Sequence, residues 1–178
     1  MLALLNPIWI DENMTNKDAL RLPVVSLGAE YLAIGQLMRR NILAYKAPPH
    51  NQGYDLICIH PNPTESTKPV RVQVKSRFQT DCDRAFPLHE RTFGAFDYVI
   101  VVFLNIGYFY SSVGKDRGRL DPEYFTLPRD FIKRHHYKPK SGFQKLRTKG
   151  LDLARFKNEV GFEQIAKDLG IPYPSRPV

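Results

Sequence analysis

The chain is poor in the features that mark disulfide-linked secreted proteins, zinc proteins and membrane-spanning proteins. Its 178 residues include two cysteines, Cys58 and Cys82, without a CxxC spacing, so neither a disulfide framework nor a zinc site is expected. The longest apolar run, residues 98–104, is far shorter than the roughly 18 to 20 residues that a membrane span needs. These absences favour a cytoplasmic protein that has no membrane segment.

Several catalytic signatures are also missing. The sequence has no Walker motif, no GxSxG, no HExxH and no GxGxxG, which are the local motifs of P-loop proteins, serine hydrolases, zinc peptidases and dinucleotide-binding enzymes. What is present is an ordinary globular composition, 43% apolar and 25% charged. A chain of this length is expected to form one domain with a real core.

Acidic residues are missing from one long stretch, residues 131–149, which contains seven lysines and arginines. Residues 115–160 carry 13 basic against 6 acidic residues, a net charge of +7 out of +8 for the chain. The aromatic residues Phe131, Tyr137 and Phe143 are interleaved with the basic ones. Such a stretch can follow a polyanion backbone and stack on bases. The alternative is a solvated basic face.

Two patterned segments flank a proline-rich loop. Residues 70–75 alternate apolar and polar, a short apolar run begins at Asp55, and three prolines mark residues 61–69 as a loop between them. An antiparallel hairpin about the loop's midpoint would place Asp55 opposite Lys75, within two residues of register. Because side chains alternate along a strand, Gln73 and Lys75 share one face. A carboxylate, an amide oxygen and an ammonium group would then meet at one place.

This arrangement resembles the PD-(D/E)xK nuclease superfamily, the restriction-endonuclease-like proteins that include resolvases and some homing endonucleases. In that family an Asp opens one strand, a (Glu or Gln)-x-Lys tripeptide lies on the next, and an acid often comes from a preceding helix. The matching positions here are Asp55, Gln73-Val74-Lys75 and Glu30. The resemblance covers residues 26–105 and is carried by order and spacing.

The resemblance implies a Mg²⁺-dependent endonuclease, with Mn²⁺ as a substitute, that hydrolyses phosphodiester bonds in DNA. Lys75 would orient or deprotonate the attacking water, or neutralise developing charge. Related proteins often dimerise, so a homodimer is also expected. The expected catalytic residues are Asp55, Gln73, Lys75 and Glu30, and the expected metal ligands are Asp55, Gln73, Glu30 and the backbone carbonyl of Val74.

Nucleic-acid contacts are expected from two parts of the chain. Ser76 and Arg77 directly follow the tripeptide and would touch phosphate. Arg84, His89 and Arg91 lie in the next irregular segment, which could line the substrate groove. The expected nucleic-acid-binding residues are Ser76, Arg77, Lys133, Arg134, Lys138, Lys140, Lys145, Arg147 and Lys149.

Gln73 stands where Glu is the commoner residue of the motif. An amide can ligate a metal through its carbonyl oxygen but supplies no charge, so weaker metal affinity and a single ion are expected. The neutral side chain keeps a second function open, a non-catalytic nucleic-acid-binding module that retains the nuclease fold. A third is a protein-interaction or antitoxin-like domain with a basic surface.

The order of elements predicts an α/β fold, a restriction-endonuclease-like αβββαβ core with a central mixed sheet flanked by helices. A first helix is predicted from Ser26 to about Arg40, with an inward stripe of Leu27, Tyr31, Ile34 and Met38. Further helices are predicted at residues 129–134 and 151–169, and strands at residues 41–47, 55–59, 70–75, 97–104, 108–112 and 124–127. The predicted regions are an N-terminal arm (1–24), a nuclease core (25–128) and a basic C-terminal helical extension packed on the same domain (129–178).

Overall fold

The computed structural model describes residues 22–49, 51–78, 84–107, 120–140 and 142–173. In these ranges the chain forms a five-stranded sheet, a three-stranded sheet and three α-helices. In chain order the elements are α1 (Leu22–Met38), β1 (Leu43–Lys46), β2 (Leu56–Ile59), β3 (Val70–Arg77), β4 (Ala85–Pro87), β5 (Tyr98–Phe103), β6 (Glu123–Pro128), α2 (Arg129–His135), β7 (His136–Tyr137), β8 (Lys145–Arg147) and α3 (Asn158–Asp168).

The five-stranded sheet has the order β1-β2-β3-β5-β6 and is mixed. Strands β3 and β5 run parallel, and every other neighbouring pair in this sheet runs antiparallel. All six residues of β5 are buried, because α1 and α3 cover one face of the sheet while α2 and the small sheet cover the other. The predicted α/β fold with a central mixed sheet flanked by helices is confirmed.

Helix α1 packs on the sheet through small side chains. Leu27, Tyr31 and Met38 of the predicted inward stripe are exposed instead. The helix is apolar on almost all sides, so its period does not select a face, and alanines let its backbone approach the sheet closely. It also begins at Leu22, before the predicted cap at Ser26. The fully buried residues of α1 that face the sheet are Ala29, Ala33 and Leu37, spaced four apart.

The last helix is shorter than the predicted span of 151–169. A 3₁₀ turn, Ala154–Phe156, comes first, and α3 begins only at Asn158, whose φ of 48° is left-handed. Lys157 is extended and forms an isolated bridge with Phe125 of β6. One continuous helix is therefore impossible here, because residues 157 and 158 are held in non-helical conformations.

Two other predicted segments differ or cannot be compared. Between β3 and β5 the described residues form the short strand β4 and a 3₁₀ turn, Glu90–Thr92, where the αβββαβ order places a helix. The predicted strand at residues 108–112 lies outside the described residues. Among the helices that the structure describes, none has the length and apolar character to cross a membrane.

Candidate functional site

The β2–β3 hairpin places Asp55 beside the middle of β3. The strands pair antiparallel with Leu56 opposite Val72, and continuing this register one residue past the start of β2 would put Asp55 opposite Gln73. The amide of Asp55 donates to the carbonyl oxygen of Val72 at 2.8 Å. The expected partner was Lys75, two residues further on, within the stated tolerance. The difference arises because the hairpin is centred on residue 64 and not on the loop's midpoint, residue 65.

The Asp55 carboxylate is held by the backbone of the neighbouring strand. Its Oδ2 accepts a hydrogen bond from the Val74 amide at 2.7 Å. Strand β2 begins only at Leu56, so this carboxylate takes the place of a strand partner for Val74. The carbonyl and amide of one strand residue point to the same side. The Val74 carbonyl is therefore directed toward the side on which Asp55 lies.

Gln73 carries a buried polar atom without a partner. Its Oε1 is buried and has no hydrogen bond within the described residues, a property it shares there with Thr126 Oγ1. An unpaired buried acceptor of this kind costs about 1–3 kcal/mol. Gln73 lies next to Val74 on β3, on the sheet face away from Val72 and Val74. This atom is thus a buried oxygen acceptor whose capacity for a hydrogen bond or a cation is unused.

Burial shifts the pKa values of the two charged groups at this place. It raises the pKa of Asp55, and the nearby charge of Glu30 raises it further, whereas the Val74 hydrogen bond and the charges of Lys75 and Lys46 lower it. For Lys75, burial lowers the pKa, the charge of Asp55 opposes that change, and the charge of Arg77 adds to it. Both groups are therefore closer to their neutral forms than exposed side chains would be.

Glu30 lies near Asp55 but has a lysine partner of its own. Its Oε2 accepts a hydrogen bond from Lys46 Nζ, and that ammonium lies 5.9 Å from the centre of the Tyr31 ring. The charge of Glu30 raises the pKa of Asp55, whereas that of Lys46 lowers it. Lys46 was not predicted at the site. The antiparallel pairing of Lys46 with Leu56, next to Asp55, brings it there, and its neighbours in sequence give no sign of this.

Arg77 extends the polar row toward the small sheet. It lies two residues beyond Lys75 on the same face of β3, and Ser76 between them faces the other way. The Arg77 Nη2 donates to the carbonyl oxygen of Ala85, and its guanidinium lies 4.9 Å from the Phe86 ring centre. Arg77 therefore joins the row of Gln73 and Lys75 to strand β4.

The structure divides the basic stretch at residues 133–149 into two groups. On α2, Lys133 lies 4.0 Å from Asp130. On the next segment, Lys138 forms an ion pair with Glu90 at 2.6 Å. Arg134 donates to the backbone carbonyl of Asp130 at 3.3 Å, and Lys140 lies in an exposed turn. The first group is thus largely engaged with neighbouring oxygens.

The second group converges with a residue from another part of the chain. Lys145 and Arg147 lie on the outer face of β8, with buried Leu146 between them. Together with Lys149 and Arg84 they line a depression of about 360 Å³. Sequence spacing alone does not bring Arg84 to this place, because the antiparallel pairing of β4 with β8 does so.

The oxygen-donor set around Asp55 is small. In the parts of the chain that the structure describes, no three His, Cys, Asp or Glu side chains are grouped so that they could hold a metal ion. The available donors are the Asp55 carboxylate, the Gln73 amide oxygen, the Val74 carbonyl and, behind Lys46, Glu30. Carboxylate, amide and carbonyl oxygens suit a hard cation and are poor ligands for a soft one.

Comparison with known proteins finds similar chains among the solved structures. A scan against protein-family models and a search of curated proteins found no match. Among seven chains of solved structures that match is a bacterial homing endonuclease, I-Ssp6803I. It is 16% identical in sequence with a TM-score of 0.48, and the match covers 84% of this chain and 94% of the other.

Proposed function

We propose that this chain is a metal-dependent endonuclease of the PD-(D/E)xK type that hydrolyses phosphodiester bonds in nucleic acid, with DNA as its substrate. The observation that carries the proposal is the unpaired, buried Oε1 of Gln73 on the strand whose Val74 amide binds the Asp55 carboxylate, with Lys75 next along the same strand face. Phosphodiester hydrolysis needs a positioned cation, an activated water and charge neutralisation, and these residues offer a place for each.

The donor chemistry fits Mg²⁺, with Mn²⁺ as a substitute. Carboxylate, amide and backbone carbonyl oxygens are the ligands that hard divalent cations take, and a cation would satisfy the orphaned Gln73 oxygen. When bound, the ion would lower the pKa of a coordinated water and neutralise charge on the phosphate. The residues that would hold it are Asp55, Gln73, the carbonyl of Val74 and Glu30.

Each residue has a distinct task in this proposal. Asp55 has one carboxylate oxygen engaged by the Val74 amide, which orients the carboxylate and leaves the other oxygen for the cation. Lys75 lies two residues from Gln73, and burial lowers its pKa, so its amine is better suited than an exposed lysine to take a proton from the attacking water. Gln73 supplies an oxygen without charge, so binding of a single ion with modest affinity is expected.

Nicking of supercoiled plasmid in Mg²⁺ or Mn²⁺ tests the proposal. Wild type should convert supercoiled to nicked and linear DNA, and Lys75→Ala should abolish this. Lys68→Ala is the matched control, because Lys68 is an exposed lysine of the loop before β3 and its loss changes the net charge equally. Cleavage that survives Lys75→Ala would show that the assigned site is wrong.

The neutral Gln73 favours one alternative, a nucleic-acid-binding module that keeps the fold and has lost cleavage. Calorimetric titration of wild type and Asp55→Ala with Mg²⁺ and Mn²⁺ separates the two functions. A metal-binding isotherm that Asp55→Ala removes supports the nuclease. DNA binding without any metal isotherm in wild type supports the module.

A further inference from the structure

Four positive side chains meet in the depression beside β8 without an acid among them. Arg84, Lys145, Arg147 and Lys149 line it, together with Ala85. None of the four forms an ion pair with an acidic residue in the described ranges. Like charges held this close repel one another, and an anion placed among them would remove that repulsion.

Aromatic rings hold these cationic groups in place. The Arg147 guanidinium lies 3.8 Å from the Tyr137 ring centre, and the Lys145 ammonium lies 5.7 Å from that of Phe143. Arg84 lies 4.6 Å from the ring centre of Phe103. Cations stacked on rings keep their outward N–H groups available and lose less freedom when they bind an anion. The depression is therefore pre-organised to receive an oxyanion.

The other basic residues of the same stretch differ in their surroundings. Lys133 and Lys138 already have Asp130 and Glu90 as partners. A polyanion that bound at these lysines would have to displace those carboxylates or suffer their repulsion. Basic residues of equal formal charge thus differ in how readily they can bind a phosphate.

We propose that this depression binds a backbone phosphate of the nucleic acid at a position separate from the bond that is cut. The inference rests on the proposed function and assigns the main phosphate contact to Arg84, Lys145, Arg147 and Lys149 and not to the whole basic stretch. Arg77 links the two places, because it lies two residues, about 6.6 Å, from Lys75 and donates to the carbonyl of Ala85, which lines the depression. A strand could therefore run from Lys75 along β3 to β8.

Salt-dependent binding of a labelled 20-base-pair DNA duplex, followed by fluorescence anisotropy in EDTA, tests the assignment. The full chain is compared with Arg147→Gln/Lys149→Gln and with the charge-matched control Lys133→Gln/Lys138→Gln. Arg147→Gln/Lys149→Gln, which changes two residues of the depression, should bind the duplex about tenfold more weakly than wild type near physiological salt. The magnitude of its slope of log K against log salt should be smaller by about 1 to 2, since each lost phosphate contact removes about one unit. The control should change the slope by less than about 0.5.

Equal losses in the two double variants, or no loss in either, would overturn the assignment. Far-ultraviolet circular dichroism and a melting curve establish that both variants are folded, and the single variant Lys149→Gln, at an exposed position, should show about half of the slope change. Plasmid nicking is measured separately. If Arg147→Gln/Lys149→Gln binds DNA more weakly than wild type but wild type does not nick plasmid, the nuclease function is contradicted and the phosphate site in the depression is not. If wild type nicks plasmid and Arg147→Gln/Lys149→Gln binds DNA as tightly as wild type, the phosphate site is contradicted and the nuclease function is not.

Discussion

The backbone amide of Val74 donates a hydrogen bond of 2.7 Å to Oδ2 of Asp55. Strand β2 begins at Leu56, two residues too late in this register to offer Val74 a backbone partner, and a side chain fills that place. The carboxylate is therefore fixed by the sheet itself and not by a flexible loop. The same contact makes the position of Asp55 matter for stability as well as for chemistry.

Two replacements of Asp55 should distinguish the contribution of its hydrogen bond to stability from the contribution of its charge. Asp55→Ala leaves the Val74 amide without an acceptor, whereas Asp55→Asn keeps a carbonyl oxygen there. We expect Asp55→Asn to be more stable than Asp55→Ala by about 1–2 kcal/mol, measured by urea unfolding at neutral pH. Equal stabilities would show that water replaces the acceptor. Both variants should fail to nick plasmid.

The raised pKa of Asp55 predicts a pH-dependent difference between wild type and Asp55→Asn. In the unfolded chain Asp55 ionises near its ordinary pKa of 3.8, and in the folded chain it ionises at a higher pH. Between these two values the folded state binds more protons, so this group's contribution to stability falls as pH rises and is constant above the folded pKa. The stability of Asp55→Asn relative to wild type should rise through that window and then level off. A difference that does not vary with pH in urea unfolding would contradict the shift.

Lys75→Arg should distinguish proton transfer from charge alone. Arginine keeps a positive charge at this position but does not release its proton in proteins, whereas burial lowers the pKa of Lys75. Plasmid nicking should therefore fall by about 100-fold or more, the typical contribution of general acid–base catalysis. Lys68→Arg is the control and should nick like wild type. Near-normal nicking by Lys75→Arg would mean that a positive charge is sufficient.

Gln73→Glu and Gln73→Leu should move metal binding in opposite directions. Glutamate adds a negative charge beside Asp55, so Mg²⁺ affinity should rise about tenfold and Mg²⁺ should raise the melting temperature more than in wild type. Leucine removes the unpaired oxygen and with it a buried polar cost, so the metal-free protein should be at least as stable as wild type while losing Mg²⁺ binding. Calorimetry and melting curves measure both. Unchanged Mg²⁺ affinity in the two variants would remove Gln73 from the metal site.

Gly161 should not tolerate a methyl group. A Cβ at this position would lie 2.2 Å from the Phe156 carbonyl oxygen and 3.0 Å from the Thr126 Cβ, both parts of the packed layer under α3. We expect Gly161→Ala to cost more than about 2 kcal/mol in urea unfolding. Gly28→Ala and Gly35→Ala are the controls, because nothing lies within 4 Å of a Cβ there, and they should stabilise α1 by about 0.5–1 kcal/mol. Comparable losses in all three would contradict the close approach at Gly161.

Local pattern predicted those parts of the fold in which one physical preference dominates. The apolar run at residues 98–104 indicated a strand, which is β5, and the prolines between β2 and β3 indicated a hairpin loop. The inward face of α1 could not be predicted in this way, because nearly every side of that helix is apolar and the fit of Ala29 and Ala33 to the sheet decides the outcome. The start of α3 depended on a bridge between Lys157 and Phe125, a contact between distant parts of the chain.

The candidate site shows the same division. The hairpin pattern predicted that Gln73 and Lys75 share one face of β3 and that Asp55 lies beside this strand, where its carboxylate accepts from the Val74 amide. Lys46 and Arg84 reach their places through pairings with other strands, and their neighbours in sequence give no sign of it.

Among the described strands, only β3 and β5 pair in parallel, and this pairing bears on how the chain could be re-engineered. A parallel neighbour demands a long crossover, and β4 lies within that crossover and pairs with β8 outside the main sheet. The strands that line the proposed phosphate site, β4 and β8, are thus different from β2 and β3, which form the hairpin of the proposed cleavage site. An engineer could exchange the crossover and the β7–β8 hairpin between homologous proteins while leaving the hairpin of Asp55 and Lys75 intact. The architecture is in this sense modular.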